Sequence, residues 1–304
     1  MATTVRAYRH PGDYRLVDRF LVDLHEPGPA LPNWLQPRWE YMFGMVDDWD
    51  VDLAGIGIAE RSGSVVGVVH PESRDDEVYL QARPGDREVR EVLVDWLDDH
   101  LGVERDGRLV HGVFADDADQ DLRSVLEERG FRPTDRGERQ AWRPLVDPLP
   151  HPPLPAGYRL ASLADDNDLD RLDRVLWRGF DHPGESPGWR ANGRDLAQAT
   201  PNYRLDRNVV VVAPSGEFAA FAGIWVVPEH RVAYVEPVAT DPDHRRLGLG
   251  SAAVTEALRR ARQAGAREAW VGSGLDFYRA LGFSVRSRST LWERTTPRDS
   301  GSHR

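Results

Sequence analysis

The chain of 304 residues carries the same succession of features twice, which limits it to folds made of two copies of one unit. Phe131 and Phe283 each close a Gly-Phe pair and stand 152 positions apart, while the Ser-Gly turn glycines Gly63 and Gly216 stand 153 apart. Tyr14-Arg15-Leu16 is echoed by Tyr158-Arg159-Leu160. In each half a helical region with aromatics follows, at 34–43 and 172–180. Each half then shows an apolar hairpin pattern, 56–59 with 65–69 and 209–213 with 218–226, whose turn glycine supplies the positive φ of a tight reversal. A further strand, 77–81 or 232–238, leads into an amphipathic helix, 88–100 or 251–264. Strand, short helix and the Gly-Phe pair close each copy. Mixed strands with helices between them indicate an α/β class, α+β in the sense of a mixed, mainly antiparallel sheet with helices on both faces.

Pro144, Pro148, Pro150, Pro152, Pro153 and Pro155 crowd the middle of the chain. Proline lacks an amide hydrogen and holds the backbone extended, so 144–157 reads as a semi-rigid linker. The boundaries that follow are a first domain at 1–143, a second at 158–294 and a flexible tail at 295–304.

The net charge of −11 argues against nucleic acid as a partner and is compatible with a small cationic substrate such as an amine, which an acidic surface attracts. There is no cysteine, hence no disulfide framework, thiolate metal site or cysteine nucleophile, and no metal is expected. No segment reads as a leader or a membrane span, which points to a cytoplasmic protein. All 39 basic residues are arginine. Either GC-rich coding or a functional demand for lysine-free side chains explains this.

The segment most loaded with chemistry runs from Ala239 through Thr240, Asp241, Pro242, Asp243, His244, Arg245, Arg246, Leu247, Gly248, Leu249 and Gly250, between a strand and a helix. Gly248 and Gly250 remove Cβ atoms where backbone amides must approach a ligand. The helix beginning near Ser251 offers unpaired N–H groups and the positive end of its dipole, an anion site suited to a pyrophosphate. Arg245 and Arg246 can add charge-assisted hydrogen bonds. A plain packing role for the glycines competes with this. So does a dinucleotide fingerprint, since Gly248-Leu249-Gly250-Ser251-Ala252-Ala253 fits G-x-G-x-x-A. That fingerprint wants its first glycine directly after the strand and an acidic residue closing the next one. Here about ten residues intervene, and Glu268 opens the next strand instead.

The run Glu236-Pro237-Val238-Ala239-Thr240 with Arg245-x-x-Gly248-x-Gly250 resembles motif A of the GCN5-related N-acetyltransferase (GNAT) superfamily. Phe277-Tyr278-Arg279-Ala280-Leu281-Gly282-Phe283 resembles its motif B. The resemblance covers 158–294 well and 14–132 more weakly, which implies two tandem GNAT-like domains. The first copy lacks the G-x-G pair after Gln81, has Asp86 where a phosphate would sit, and has Leu126-Glu127 where the Phe-Tyr pair belongs. It is expected to keep the fold without the catalysis.

The resemblance implies acetyl-CoA as cosubstrate and transfer of its acetyl group to a primary amine of a small molecule or peptide, by direct attack in a ternary complex. Val238 and Ala239 would bond the pantetheine arm in a gap between splayed strands, with Thr240 beside them. Arg245, Arg246, Leu247, Gly248, Leu249, Gly250 and Ser251 would hold the pyrophosphate, and Tyr278 would protonate the departing thiolate. Glu236 is the leading candidate base, on the face of Tyr234 and Val238 by period-two alternation; His182 and a water relay are the others. His244 belongs to the loop and faces solvent or phosphate. The family's frequent asparagine seven positions before the tyrosine falls here on Val271. Alternatives are a non-catalytic acyl-CoA sensor and a mycothiol-synthase-like acetylation of an amino-sugar conjugate. The surface of the first copy is a candidate homodimer contact.

Overall fold

A computed structural model describes residues 2–25, 34–43, 53–72, 74–146, 149–151 and 153–297. The first part of the chain forms β1 (Thr4–Ala7), α1 (Tyr14–Leu24), α2 (Gln36–Phe43), β2 (Gly57–Arg61), β3 (Ser64–Pro71), β4 (Val78–Ala82), α3 (Arg87–His100), β5 (Val103–Arg105), β6 (Arg108–Asp116), α4 (Gln120–Glu128) and β7 (Arg132–Pro144). The second part forms β8 (Arg159–Ser162), α5 (Leu169–Gly179), α6 (Arg194–Ala199), β9 (Val209–Val212), β10 (Phe218–Val227), β11 (Val232–Thr240), α7 (Leu249–Gln263), β12 (Glu268–Val271), α8 (Asp276–Ala280) and β13 (Ser284–Pro297).

Contacts divide the chain into two units, Met1–Gln36 with Trp49–Glu138 and Ser287–Arg304, and Pro37–Asp48 with Arg139–Arg286. In the first unit the strand order is β1-β2-β3-β4-β6-β13, with β5 also on β6. It includes β13, whose residues 289–297 run antiparallel to 108–116. In the second unit β8, β9, β10, β11 and β12 follow one another, and residues 141–144 of β7 lie antiparallel to β12. Each unit therefore takes in a strand from the other part of the sequence.

This exchange departs from boundaries drawn at 143 and 158. Period-two alternation marks a closing strand but says nothing about which sheet it joins. Residues 295–297, read as the start of a flexible tail, pair with 108–110, and 298–304 lie outside the described residues. The proline-rich stretch is also less of a spacer than its composition suggests. Leu145 is buried in the second unit's core, its amide donates to the Arg267 carbonyl at 2.7 Å, and Leu149 and Leu154 pack against the same core. Pro148 and Pro152 lie outside the described residues.

The hairpins and the two long helices form where the sequence places them. One echo does not: Tyr14 opens helix α1, whereas Tyr158 precedes strand β8. A three-residue match carries no periodicity, and the stripe Val17, Phe20, Leu21, Leu24 buries a helical face that overrides it. By order of elements the counterpart of β8 is β1, and that of α5 is α1.

The second unit's sheet has a core on each face. Ala233, Val235 and Ile224 pack with Leu249, Ala253, Val254, Ala257 and Leu258 of α7 and with Tyr278 of α8. On the opposite face Val210, Phe221 and Ala239 pack with Leu172, Val175 and Leu176 of α5. Each fully buried leucine or valine contributes about 1.5–3 kcal/mol. Helix α5 is started by Asp168, whose side chain accepts from the Arg171 amide at 2.9 Å.

Candidate active site

Strands β11 and β12 run parallel for three pairs, Val232 with Glu268, Ala233 with Ala269 and Tyr234 with Trp270. There the ladder ends, although β11 continues to Thr240. On its other side β11 keeps its partner β10, but the register shifts. Ile224 faces Val235 and Ala222 faces Val238, so β11 carries one extra residue at Glu236–Pro237. The bulge is accommodated by Gly223, since a Cβ there would collide with the Glu236 carbonyl.

The bulge corrects the alternation argument for Glu236. Val235 faces the α7 core, whereas beyond the bulge Val238 packs on that core and Ala239 on the α5 side. Tyr234 and Val238 thus lie on opposite faces of one strand, and Glu236 sits at the crossover. Its carboxylate is close enough to Tyr278 to help hold the phenol in its neutral form.

Beyond the splay, a cleft of about 510 Å³ is lined by Gly179, Val238, Ala239, Thr240, Arg245, Arg246, Gly248, Leu249, Gly250, Ser251, Leu275, Phe277 and Tyr278. Ten of the eleven residues assigned to cofactor binding from sequence meet here. The eleventh, Leu247, projects toward solvent at 44% exposure. Helix α7 starts without a side-chain cap and with no acidic residue in its first turn. Ala252 is the first of its amides bonded to a preceding carbonyl, that of Gly248 at 3.0 Å. The amides of 246–251 therefore have no backbone acceptor among the described residues. The two glycines have different jobs. Gly248 takes the left-handed conformation, φ +77°, with open space around it, whereas a Cβ on Gly250 would lie 2.7 Å from Thr240 Oγ1.

Arg245 serves the loop's architecture. Its guanidinium donates to the carbonyls of Thr240 at 3.3 Å and Gly179 at 2.9 Å and to Asp181 at 2.9 Å. Arg246, at φ +65°, is exposed, with no hydrogen bond or ion pair among the described residues, and is the loop's uncommitted cation.

Sequence reasoning passed over the loop's main anchor. Asp241 is fully buried and caps the following turn by accepting from the Asp243 amide at 3.0 Å. Arg178 donates to it from Nε at 2.8 Å and Nη2 at 3.1 Å, and Arg174 adds Nη1 at 3.3 Å. Burial pushes the Asp241 carboxyl up, but the bonds from Arg178 and the Asp243 amide outweigh it and leave its pKa below the ordinary carboxylate range. The Asp-Pro pair was the available signal, an acidic cap before a proline. Gly179 was missed as well; a Cβ there would lie 2.7 Å from that of Ala239.

Tyr278 stands on α8 with its ring edge-on to Phe277 and Phe283 at 4.9 and 5.8 Å. Burial, then the Glu236 charge, hold its phenol well above the usual range. Arg143 donates to the Leu281 carbonyl at the end of this helix. His182 lies outside the cleft, exposed and stacked on Trp177 at 4.4 Å, because the turn after α5 carries it to the surface. His244 is bonded through Nδ1 to the Tyr158 hydroxyl at 2.9 Å. Val271, where the family often has asparagine, is buried in the α7 core.

The first unit has the same strand-helix junction with its anion site filled. At the start of α3, Asp86 accepts from the Val89 amide at 3.4 Å and is held by Arg61 at 2.9 and 3.0 Å, and Glu88 occupies the first turn.

A parallel ladder that ends while β11 runs on beside an uncapped helix N-terminus leaves a cleft next to a free strand edge in an α/β protein. Residues 169–283 match the model of the acetyltransferase (GNAT) family. Over 82 residues the chain is 32% identical to an uncharacterised N-acetyltransferase of Methanocaldococcus jannaschii, a stretch that covers 24% of this chain and 36% of that one. The chain thus spans about a third of the length of the curated relative it matches. Among solved structures it resembles a GCN5-related N-acetyltransferase from Sphaerobacter thermophilus (17% identity, TM-score 0.63, 96% of this chain and 95% of that one). It also resembles a tandem GNAT protein from the clavulanic acid biosynthesis pathway (16% identity, TM-score 0.63, 99% and 100%). Residues 169–283 thus match the GNAT family, and the chain as a whole has the fold of these solved GNAT structures. Among the described residues no helix is long and apolar enough to cross a membrane.

Proposed function

We propose that the second unit transfers an acetyl group from acetyl-CoA to a primary amine of a small molecule or peptide. The observation that carries this reading is the splay of β11 from β12 beside the open amides of 246–251, with Tyr278 in the wall of the same cleft. Past Tyr234 the edge of β11 is free of β12, so backbone groups at Val238 and Ala239 suit the amides of a pantetheine arm. The α7 amides with Arg246 suit a diphosphate. The absence of Cβ atoms at Gly250 and Gly179 lets α7 and α5 pack closely on β11, which holds the walls of the cleft in place.

Bound acetyl-CoA supplies an electrophilic thioester carbon and a thiolate leaving group. The chain's own tasks are to take a proton from the amine, stabilise the oxyanion and protonate the sulfur. Glu236 is the carboxylate nearest this chemistry that the sequence proposes, acting directly or through water. A backbone amide on the free edge of β11 serves the oxyanion. Tyr278, held neutral by its surroundings, keeps its proton available for the sulfur.

The test is thiol release from acetyl-CoA by the full chain across a panel of primary amines, with an amine-free control. Amine-dependent release is expected. Bound acetyl-CoA that is cleaved with none of them would favour a sensor.

A further inference from the structure

We infer that the acceptor side of this site is completed by Gln140, a residue before the proline-rich stretch and outside the family match at 169–283; the inference rests on the acetyl-transfer reading above.

The case begins with register. Residues 141–144 of β7 lie antiparallel to β12, from Glu268 opposite Pro144 to Val271 opposite Ala141. A row of aromatic side chains crosses the strands here. Trp225 is opposite Tyr234, Tyr234 opposite Trp270, and Trp270 opposite Trp142. Cross-strand partners share a face, and this face is the one turned away from α7, because Ala233 and Val235 point to the α7 core. One period-two step beyond Trp142 and Trp270 come Gln140 and Gly272, on the same face and at the level where β11 leaves β12.

The side-chain geometry agrees. A Cβ on Gly272 would lie 2.8 Å from Tyr234 Oη, 3.6 Å from Gln140 Nε2 and 3.9 Å from Gln140 Oε1. Gln140 is 5% exposed, and its buried Oε1 has no hydrogen-bond partner. A buried carbonyl without a donor carries a desolvation cost that folding alone does not recover, and such groups call for an explanation. A donor arriving with the substrate supplies one.

Glu236 lies two residues past Tyr234 on β11, where the pairing with β12 has ended. An acceptor bound at this end of the ladder would meet the Gln140 amide oxygen from β7 and the Glu236 carboxylate from β11. That pairing fits a group rich in N–H donors, a primary amine or its ammonium form. It fits a tertiary amine or an ether poorly, because neither presents a pair of N–H donors. Gln140 Oε1 accepts one amine N–H and so fixes the direction of the nitrogen lone pair that attacks the thioester. A site built around such a bond discriminates strongly against analogues that lack the donor.

The experiment uses the full chain and the primary amine that gives the fastest thiol release with the unmodified protein. In Gln140→Met, which keeps the length and removes the oxygen, KM for that amine rises about tenfold or more, while KM for acetyl-CoA stays within about twofold. Gln140→Glu keeps an acceptor oxygen and holds the amine KM within about threefold. If Gln140→Met does not fold, Gln140→Asn, which withdraws the amide by one methylene, is read the same way. An unchanged amine KM in a folded variant that still binds acetyl-CoA overturns the role of Gln140 alone. A wild-type chain that releases no thiol with any amine overturns the acetyl-transfer reading and this inference with it.

Discussion

Arg178 on α5 grips Asp241, the residue that opens the loop before α7, through two bonds of 2.8 and 3.1 Å, and no part of the Asp241 side chain reaches solvent. The loop is thereby fixed to the helix on the far side of the sheet before any ligand arrives. Asp241→Asn removes the charge and leaves Arg178 and Arg174 without their shared partner. A loss of about 2–4 kcal/mol is expected, read as a fall in Tm of about 5 °C or more.

The same pair sets a pH dependence. The Asp241 carboxyl is depressed in the folded chain, so its contribution is complete above the ordinary carboxylate value of about 4 and is lost as pH falls through the depressed value. The Tm gap between wild type and Asp241→Asn should be constant from neutral pH to about 5 and narrow below about 4. Thermal melts across that range check it, and a gap that widens on acidification would contradict it.

Gly248 and Gly250 should respond differently to alanine. At Gly248 the cost is conformational, about 1–2 kcal/mol for a left-handed residue, with room for the methyl group. At Gly250 the methyl group meets Thr240 Oγ1 at 2.7 Å, forcing α7 from β11 and disturbing the amides that face the cleft. Gly250→Ala is therefore expected to raise KM for acetyl-CoA about tenfold or more, and pairing it with Thr240→Ala should recover part of that loss. Steady-state kinetics on the three variants tests this; no recovery in the double variant would show that Thr240 is not the obstacle.

One CoA should bind per chain. The first unit's equivalent helix start is already occupied by Asp86, paired to Arg61, with Glu88 adding a second negative charge. Two anions at one helix N-terminus repel a phosphate as effectively as the open amides of α7 attract one. Titration calorimetry with CoA should give a stoichiometry of about 1, and a second site of similar affinity would remove the basis for treating the first copy as silent.

How much of this was legible in the sequence depends on the kind of signal. Hairpins, the two long helices and the strand-loop-helix at Val238 to Ser251 carry local periodicity and glycine punctuation, and they formed where those signals put them. Nine of the cofactor assignments line one cleft for the same reason, because motif A is continuous in sequence, and Tyr278 of motif B joins them there. The bulge at Glu236–Pro237 breaks alternation through a partner strand, so the facing of Glu236 required β10 to be in place. The exchange of β7 and β13 between sheets, and with it the position of Gln140, is a pairing choice that no local pattern encodes. Asp241 and Arg178 lie 63 positions apart, a separation across which sequence gives no hint of contact. The position of His182 outside the cleft lining was not legible, because a histidine in a loop says nothing about which way the loop turns.

The central claim is that thioester cleavage occurs at Tyr278, and Tyr278→Phe tests it most directly. The ring packs as before against Phe277 and Phe283, so the variant should fold and bind CoA with wild-type affinity by calorimetry. Its amine-dependent kcat should fall by about 10²-fold or more. Because burial and Glu236 hold the phenol neutral, wild-type kcat should show no loss from tyrosine ionisation up to about pH 10. Retained CoA binding with that fall in kcat is the predicted result. A Tyr278→Phe enzyme that releases thiol at the wild-type rate would contradict the account.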